Sequence, residues 1–312
     1  MNRLQGALKH RGGEVVRLAS DYKRGIRHTV SVPTGFEVLD SMGGLKRGIV
    51  TVVGAHSGVG KSTFAMHLVR SAAVAGVHTM WFSMEDPLPD TLDRIFAMET
   101  ALDSLELSTG KIDPDTLKKR LVAIDLGWTD NVKIDDRRHS PSTLDRAIRD
   151  EVRPGETGLI VVDYAQVFHG DVRTGSLEPV IRRLTAELAG LAKEFNCAVV
   201  LFSQLRREAL ERGERVYHDV QSRTGSKRSP LSGYVPATED LAWSSALLQY
   251  AKAVWLLDRP ALWAKKHGLP ETDAFHVHVA KANFGRTGTV YMKCQMAEMR
   301  LWGGGTSADA SQ

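Results

Sequence analysis

The residues best suited to chemistry in this chain lie together at positions 54–63, which read GAHSGVGKST. A glycine-bearing loop that leads into Gly-Lys-Ser is typical of loops that bind nucleotide phosphates. Gly58 and Gly60 allow backbone N–H groups to turn inward. Lys61 can reach the β- and γ-phosphates, and the Ser62 hydroxyl can bind Mg²⁺. The predicted nucleotide-binding residues are Gly54, Ala55, His56, Ser57, Gly58, Val59, Gly60, Lys61, Ser62 and Thr63.

One position departs from the consensus G-x-x-x-x-G-K-[ST], which requires glycine where this chain has Ala55. Taken alone, the tripeptide is also compatible with a tight turn that contains Gly-Lys-Ser by chance. The flanking segments favour the phosphate loop. Residues 49–53 form an apolar, β-branched run typical of a buried strand, and residues 64–76 have helical periodicity and a terminal glycine.

Three other predicted strands end in polar side chains. The apolar run at 158–168 contains Asp163 about 100 residues after the phosphate loop, where a Walker-B carboxylate beside the metal is expected, although such an aspartate can also cap a helix. The strand at 78–86 ends in acids that include Glu85, which is equally compatible with a catalytic acid and with a cap of the next helix. The strand at 197–204 ends in Gln204, whose amide can sense a γ-phosphate or simply satisfy backbone groups.

The elements that must position these residues alternate along the chain. Strands and helices alternate from 48 to 258, and the runs at 275–282 and 289–295 flank a turn, which predicts a hairpin. This pattern predicts an α/β fold with a doubly wound, mostly parallel sheet and an antiparallel C-terminal hairpin. We expect a basic arm or linker at 1–32, one domain at 33–302 and a disordered tail at 303–312. The arm is either a solvated tail or a docking segment for a neighbouring subunit.

Composition narrows the class of protein. The chain has 312 residues, 42% hydrophobic residues and a net charge of +4, which is compatible with a nucleic-acid partner without requiring one. Cys197 and Cys294 lie in apolar, strand-like runs without metal-ligand spacing, as in a reduced cytosolic protein. No run is long enough to cross a membrane, and the basic N-terminus lacks the apolar stretch of a signal peptide. We therefore expect a cytoplasmic protein with no membrane partner.

Several motifs occur together in an order that resembles the ATPase domain of DnaB-type replicative helicases. They are PTGFEVLDSMGGLKRG, GAHSGVGKSTFAM, FSMED, LIVVDYAQVF, LFSQLRR, DLAWSSALLQYA and AKANFGRTGTV. The resemblance covers residues 33–302 and implies a RecA-like P-loop NTPase core that works as a hexameric ring. The phosphate loop of that family also accepts alanine at the position of Ala55. The chain resembles the motor domain without the family's usual N-terminal domain and without a primase.

The resemblance also assigns roles to single residues. Glu85 matches the catalytic glutamate, which orients and deprotonates the attacking water. Lys61 matches the loop lysine, Ser62 and Asp163 match the residues that hold Mg²⁺, and Gln204 matches the amide that couples the γ-phosphate to the DNA loops. Arg94 also matches a family arginine, whose role stays open. Those loops correspond to 168–176 and 205–237, and the second has seven predicted DNA-binding cations: Arg206, Arg207, Arg212, Arg215, Arg223, Lys227 and Arg228.

Two positions depart from the family. Its hairpin has Lys-x-Arg, and the neighbouring subunit uses this arginine as a finger on its nucleotide. Here the triplet is Lys281-Ala282-Asn283, which keeps the nucleotide-binding lysine and loses the arginine. Arg286, three residues further along the turn, is the candidate replacement. The acidic Glu-Gln pair that precedes the family's last core strand is Leu248-Gln249 in this chain.

The predicted function is an ATP- and Mg²⁺-dependent DNA helicase that moves on single-stranded DNA as a homohexamer, with a primase or a helicase loader as further partners. A bacterial, phage or plasmid replication system fits this prediction. The alternative is a RecA-like ATPase that binds DNA without translocating, such as a loader, a recombination accessory or a regulatory switch. A phosphotransferase is the third hypothesis, and the sequence shows no motif for its acceptor pocket or lid.

Overall fold

The computed structural model of the chain describes residues 31–163, 177–209, 211–212, 235–266 and 272–306. Its strands are β1 (Ser31–Val32), β2 (Leu45–Lys46), β3 (Val50–Ala55), β4 (His78–Ser83), β5 (Val132–Asp135), β6 (Thr157–Asp163), β7 (Ala198–Gln204), β8 (Ala253–Asp258), β9 (Ala274–Ala282), β10 (Gly288–Gln295) and β11 (Arg300–Thr306). Its helices are α1 (Glu37–Ser41), α2 (Lys61–Val74), α3 (Leu88–Thr100), α4 (Ser104–Ser108), α5 (Pro114–Ala123), α6 (Pro141–Glu151), α7 (Glu178–Glu194), α8 (Ser244–Tyr250) and α9 (Pro260–Lys266).

Nine of the strands form one sheet in the order β11-β10-β9-β8-β3-β7-β6-β4-β5. The six strands from β8 to β5 run parallel, and β9, β10 and β11 add antiparallel pairs at one edge. The predicted α/β fold, with a mostly parallel sheet and a C-terminal antiparallel hairpin, is therefore confirmed. Since β3 lies between β7 and β8, the loop that follows β3 emerges near the middle of the sheet.

Apolar residues cover both faces of the sheet. Successive residues of β3 point to opposite faces, so Val53 packs in one buried cluster and Val52 in the other. The first cluster includes Phe64 of α2, stacked 6.2 Å from Phe275 of β9. The second includes Leu184 of α7. This three-layer packing holds the C-terminal ends of the parallel strands in a fixed arrangement, which is where α/β proteins build their ligand sites.

The bounds of single elements differ in detail from the sequence patterns. Strand β3 extends to Ala55, two residues beyond the run predicted at 49–53. Helix α6 starts at Pro141, where Ser140 and Thr143 form a capping box. A 3₁₀ turn at Thr238–Asp240 precedes α8, and Trp243 adopts a φ of +55° between them.

The ends of the compact unit differ slightly from those of the predicted domain. The unit begins at Ser31, where β1 pairs with β2, two residues before the predicted boundary at 33. Strand β11 continues to Thr306, so residues 303–306 of the predicted tail belong to this strand, and Gly305 and Thr306 pair with β10. The rest of that tail, the arm at 1–30 and the predicted loop at 168–176 lie outside the described residues.

Two remaining expectations concern membranes and cysteines. Within the described residues, no helix combines the length and apolar character that a membrane span requires. Cys197 and Cys294 are buried free thiols, and burial raises the pKa of each to about 11. Both are core residues, as expected from the sequence.

Candidate active site

The loop between β3 and α2 has the backbone that a phosphate site needs. Gly58 and Gly60 adopt φ values of +77° and +117°, which side chains other than glycine rarely tolerate. Gly60 is the N-cap of α2, whose first turn begins with Lys61 and Ser62. The N-terminus of α2, where the helix dipole is positive, therefore lies beside the exposed residues Ser57 and Gly58.

Gly54 has a different role from the other glycines of the loop, since it lies inside β3. A Cβ at this position would stand 2.4 Å from a methyl carbon of Leu241 and 2.9 Å from one of Leu256. The chain leaving β7 stays alongside β3 at this point, since the N–H of Leu205 donates to the carbonyl of Ala55 at 3.1 Å. Gly54 and Ala55 are buried within the sheet. They therefore lie beneath the phosphate loop and do not line the predicted nucleotide site.

Ser62 and Asp163 meet at the centre of the site. The Ser62 hydroxyl donates to Asp163 Oδ2 at 2.9 Å, and Asp163 Oδ1 is buried without a hydrogen-bond partner among the described residues. Burial raises the pKa of Asp163 to about 6, against the opposing effects of Ser62 and Lys61. A hydroxyl beside a carboxylate with an unused oxygen fits a small divalent cation such as Mg²⁺, which prefers oxygen ligands.

Lys61 and Glu85 complete the charged cluster. Burial lowers the pKa of Lys61, whereas the nearby carboxylates of Asp163 and Glu85 raise it. Partial desolvation raises the pKa of Glu85, and Lys61 opposes this shift. Glu85 reaches the site because β4 and β6 pair in parallel, with Ser83 opposite Asp163, and Glu85 follows two residues later as an exposed side chain. The four residues predicted from the sequence are thus brought together.

Two more predicted residues lie beside this cluster. Gln204 is paired in register with Ala55, at the point where β3 enters the loop. Arg94 of α3 forms a two-pronged ion pair with Asp86, the neighbour of Glu85. Arg94 therefore fixes the segment that carries Glu85, which gives a structural role to a residue whose role the sequence left open.

The hairpin turn lies at the other edge of the domain. Lys281 donates to the carbonyls of Leu248 and Ala251 at 3.2 and 2.8 Å, at the C-terminal end of α8. Its ammonium group is thus engaged within its own chain. Arg286 has an exposed side chain, and its backbone N–H donates to the carbonyl of Met42 at 2.7 Å. The turn itself is held in place, because Lys46 donates to the carbonyl of Phe284.

Three of the predicted DNA-binding cations lie within the described residues. The Arg206 side chain donates to the carbonyl of Leu241 at 3.2 Å, and Arg212 forms an ion pair with the buried carboxylate of Asp240. Arg207 is exposed. Arg206 and Arg212 therefore hold the start of the predicted loop against the segment that precedes α8. The other four predicted residues, Arg215, Arg223, Lys227 and Arg228, lie outside the described residues.

Two side chains that contact the phosphate loop were not predicted from the sequence, namely Arg259 and Trp263. Arg259, directly after β8, donates to the carbonyl of Gly58 at 2.8 Å. His56 is buried, with its ring 6.3 Å from that of Trp263 in α9 and at a near-perpendicular angle. Arg259 could have been noticed in the sequence, because it is a charged residue directly after an apolar strand. Nothing in the sequence distinguishes Trp263.

Known protein families and curated proteins provide a comparison for this chain. The sequence model of the DnaB-like helicase C terminal domain matches residues 31–301. A replicative DNA helicase DnaB from Geobacillus stearothermophilus is 27% identical over 84% of this chain and 54% of its own length. Its namesake from Haemophilus influenzae is 31% identical over 59% of this chain and 41% of its own length. The chain thus spans about half the length of these relatives.

Solved structures agree on the fold. One solved ATPase domain superposes with a TM-score of 0.75 at 20% identity, over 93% of this chain and 97% of its own. A DnaB-like replicative helicase, described with its interactions with primase, gives a TM-score of 0.74 at 20% identity over 92% of this chain and 65% of its own. The RadB recombinase is more distant, with a TM-score of 0.53 at 17% identity over 86% of this chain and 98% of its own. These neighbours support the RecA-like core expected from the sequence.

Proposed function

The chain belongs to the DnaB-like helicase C-terminal domain family, and we propose that it is the ATP-hydrolysing motor of a ring-shaped helicase that moves on single-stranded DNA during replication. The observation that carries this proposal is the pair of Ser62 and Asp163 at the mouth of the phosphate loop, with an unused carboxylate oxygen and with Lys61 and Glu85 beside it. Nucleotide hydrolysis needs these groups in one place.

Each residue of the cluster has a proposed role in hydrolysis. The loop N–H groups and Lys61 bind the β- and γ-phosphates and stabilise the charge that develops on them. Ser62 and Asp163 hold Mg²⁺, which neutralises phosphate charge when it is bound. Glu85 accepts the proton of the attacking water, and its raised pKa favours this role. The amide of Gln204 responds to the γ-phosphate in this proposal, which its register opposite Ala55 supports.

The hairpin turn is the proposed contribution to the neighbouring subunit. Arg286 is exposed on a turn that α1 and β2 hold in place, so it can be presented to a second copy of the chain. In this arrangement Arg286 replaces the arginine that the family has at Asn283. Lys281 would reach a neighbour's nucleotide only after leaving the carbonyls of Leu248 and Ala251.

The remaining proposals concern partners and organisation. The channel of the ring would bind single-stranded DNA through the cations of 205–237, of which Arg207 is exposed in the described part. A primase or a loader is a proposed partner by analogy with the relative whose structure was described with primase. We propose that the motor starts at Ser31, after a basic arm, and that it acts in the cytoplasm.

A second candidate function is a RecA-like ATPase that binds DNA without translocating. Two observations favour it, namely Asn283 at the finger position and the engagement of Lys281 within its own chain. A trans arginine contributes about 10³- to 10⁵-fold to turnover, so a ring without one would hydrolyse ATP slowly.

The test is the ATPase rate at increasing protein concentration, with and without single-stranded DNA, for the wild type and for Arg286→Ala. The matched control is Lys293→Ala, which removes an exposed cation from the same hairpin. A ring with trans sites predicts cooperative, DNA-stimulated turnover that falls at least about 10³-fold in Arg286→Ala only. A slow ATPase rate that depends neither on protein concentration nor on Arg286 would contradict the ring motor. Stimulated turnover without strand displacement on forked DNA supports the non-translocating ATPase.

A further inference from the structure

A second cluster of potential ligands lies away from the Ser62–Asp163 pair, at the C-terminal end of β8. Asp258 ends that strand, and the neighbouring strand β9 places His276 directly opposite it. His278 lies two residues further along β9 and therefore on the same face. All three side chains are buried, with 3%, 4% and 5% of their surfaces exposed. Buried aspartate and histidine side chains of this kind require an explanation.

The polar atoms of these side chains converge without satisfying one another. Each residue offers one ligand atom within 4.8 Å of those of the other two. His276 Nδ1 and Asp258 Oδ2 are 3.8 Å apart, which is too far for a hydrogen bond. Ligands of tetrahedral zinc lie about 3.4 Å from one another when the metal–ligand bonds are about 2.1 Å. Small side-chain rotations would therefore bring the three atoms to the spacing of a zinc site.

Outer partners orient two of the three side chains. The Thr289 hydroxyl lies 2.9 Å from His278 Nδ1, and His278 Nε2 is buried with no hydrogen-bond partner among the described residues. The indole N–H of Trp263 donates to Asp258 Oδ1 at 3.1 Å, which leaves Oδ2 toward His276. In metal sites, the atom that does not bind the metal is usually held by such a partner.

We propose that Asp258, His276 and His278 bind a divalent transition metal, with Zn²⁺ as the best-fitting ion. Two imidazole nitrogens and one carboxylate oxygen suit zinc and disfavour Mg²⁺, which selects oxygen ligands. His278 binds through Nε2, Asp258 through Oδ2, and a water occupies the fourth position. The metal joins β8 to β9 beneath α9. Because Trp263 contacts both Asp258 and His56, this site adjoins the phosphate loop and is distinct from it.

The first test is the zinc content of the untagged chain after growth with zinc and dialysis into Mg²⁺ buffer. We expect about one zinc per chain in the wild type and less than about a tenth of that in His278→Ala. The matched control is His78→Ala, which removes another buried histidine whose Nδ1 lies 2.9 Å from a threonine hydroxyl, that of Thr157. The control should keep its zinc. Equal loss in both variants, or a wild type without zinc, overturns the proposal.

A second measurement uses the wild type alone and keeps the proposal testable if His278→Ala does not fold. Zinc added to the chelated chain at about 100 times its dissociation constant should raise the Tm by about 4 °C. Co²⁺ in its place should give the strong visible absorption of a tetrahedral site, because a tetrahedral site lacks the inversion centre that keeps octahedral Co²⁺ pale. An unchanged Tm together with only the pale spectrum of octahedral Co²⁺ would overturn the proposal. Neither readout depends on ATP hydrolysis, so failure here leaves the proposed function untouched.

Discussion

Two aspartates that end parallel strands on either side of the β3–β7 pair invite comparison. Asp163 ends β6 and Asp258 ends β8, and they are 2% and 3% exposed. Burial raises the pKa of each to about 6. Their surroundings differ, since Ser62 and Lys61 lie beside Asp163, whereas Trp263 and two histidines lie beside Asp258. Position and burial are thus shared, and the neighbouring donors decide which cation each carboxylate suits.

Among changes that should affect the nucleotide site and leave the zinc site intact, Glu85→Gln is expected to have the largest effect on ATP turnover. This change removes the proposed base while keeping the size of the side chain, so ATP turnover should fall about 10²- to 10⁴-fold with nucleotide affinity retained. Single-turnover hydrolysis and equilibrium nucleotide binding measure the two quantities. Glu106→Gln, an exposed change on α4, is the control. Loss of binding together with turnover would show that Glu85 shapes the site and does not act on water.

A somewhat smaller loss of turnover, about 10²- to 10³-fold, is expected from Lys61→Ala, because one preorganised cation on the phosphates is removed. Nucleotide affinity should fall as well, since Lys61 also contacts the ground state. The zinc content should stay the same, because Lys61 is not among the proposed zinc ligands. Lys118→Ala, on the exposed surface of α5, provides the control. Turnover that matches the wild type would refute the assignment of residues 54–63 as the nucleotide site.

The two sites also differ in how far the sequence predicts them. Asp163 is predictable because its strand, its distance from the phosphate loop and the loop itself form a pattern that resembles a known motor. Asp258 follows an equally apolar strand, but its partners depend on the antiparallel register that places His276 opposite it. The alternation His276-x-His278 indicates one shared face and was a usable signal. Cross-strand register and the position of Trp263 above the pair required coordinates.

Contacts between distant segments also explain where the predictions for the fold differed from the structure. The alternation of strands and helices predicted the parallel sheet and its hairpin, because local periodicity carries that information. Gly54 was assigned to the phosphate cradle from its place in the motif. Position 54 requires glycine because the side chain of Leu241, 187 residues further along the chain, packs against it. Contacts between distant segments leave no local pattern, so they could not be predicted from one sequence.

The smallest expected effect concerns the link between the two sites. Trp263→Phe keeps the apolar bulk against His56 and removes the N–H that donates to Asp258 Oδ1. Loss of such an outer partner costs about 10- to 100-fold in metal affinity, and we expect about tenfold because both histidines remain. Zinc competition against a chelator measures this shift, with Trp128→Phe as the control because its indole nitrogen has no hydrogen-bond partner among the described residues. If the variant binds zinc as tightly as the wild type, Trp263 does not support the zinc site. A parallel fall in ATP turnover would show that the two carboxylates, which differ in their donors, communicate through the contact between Trp263 and His56.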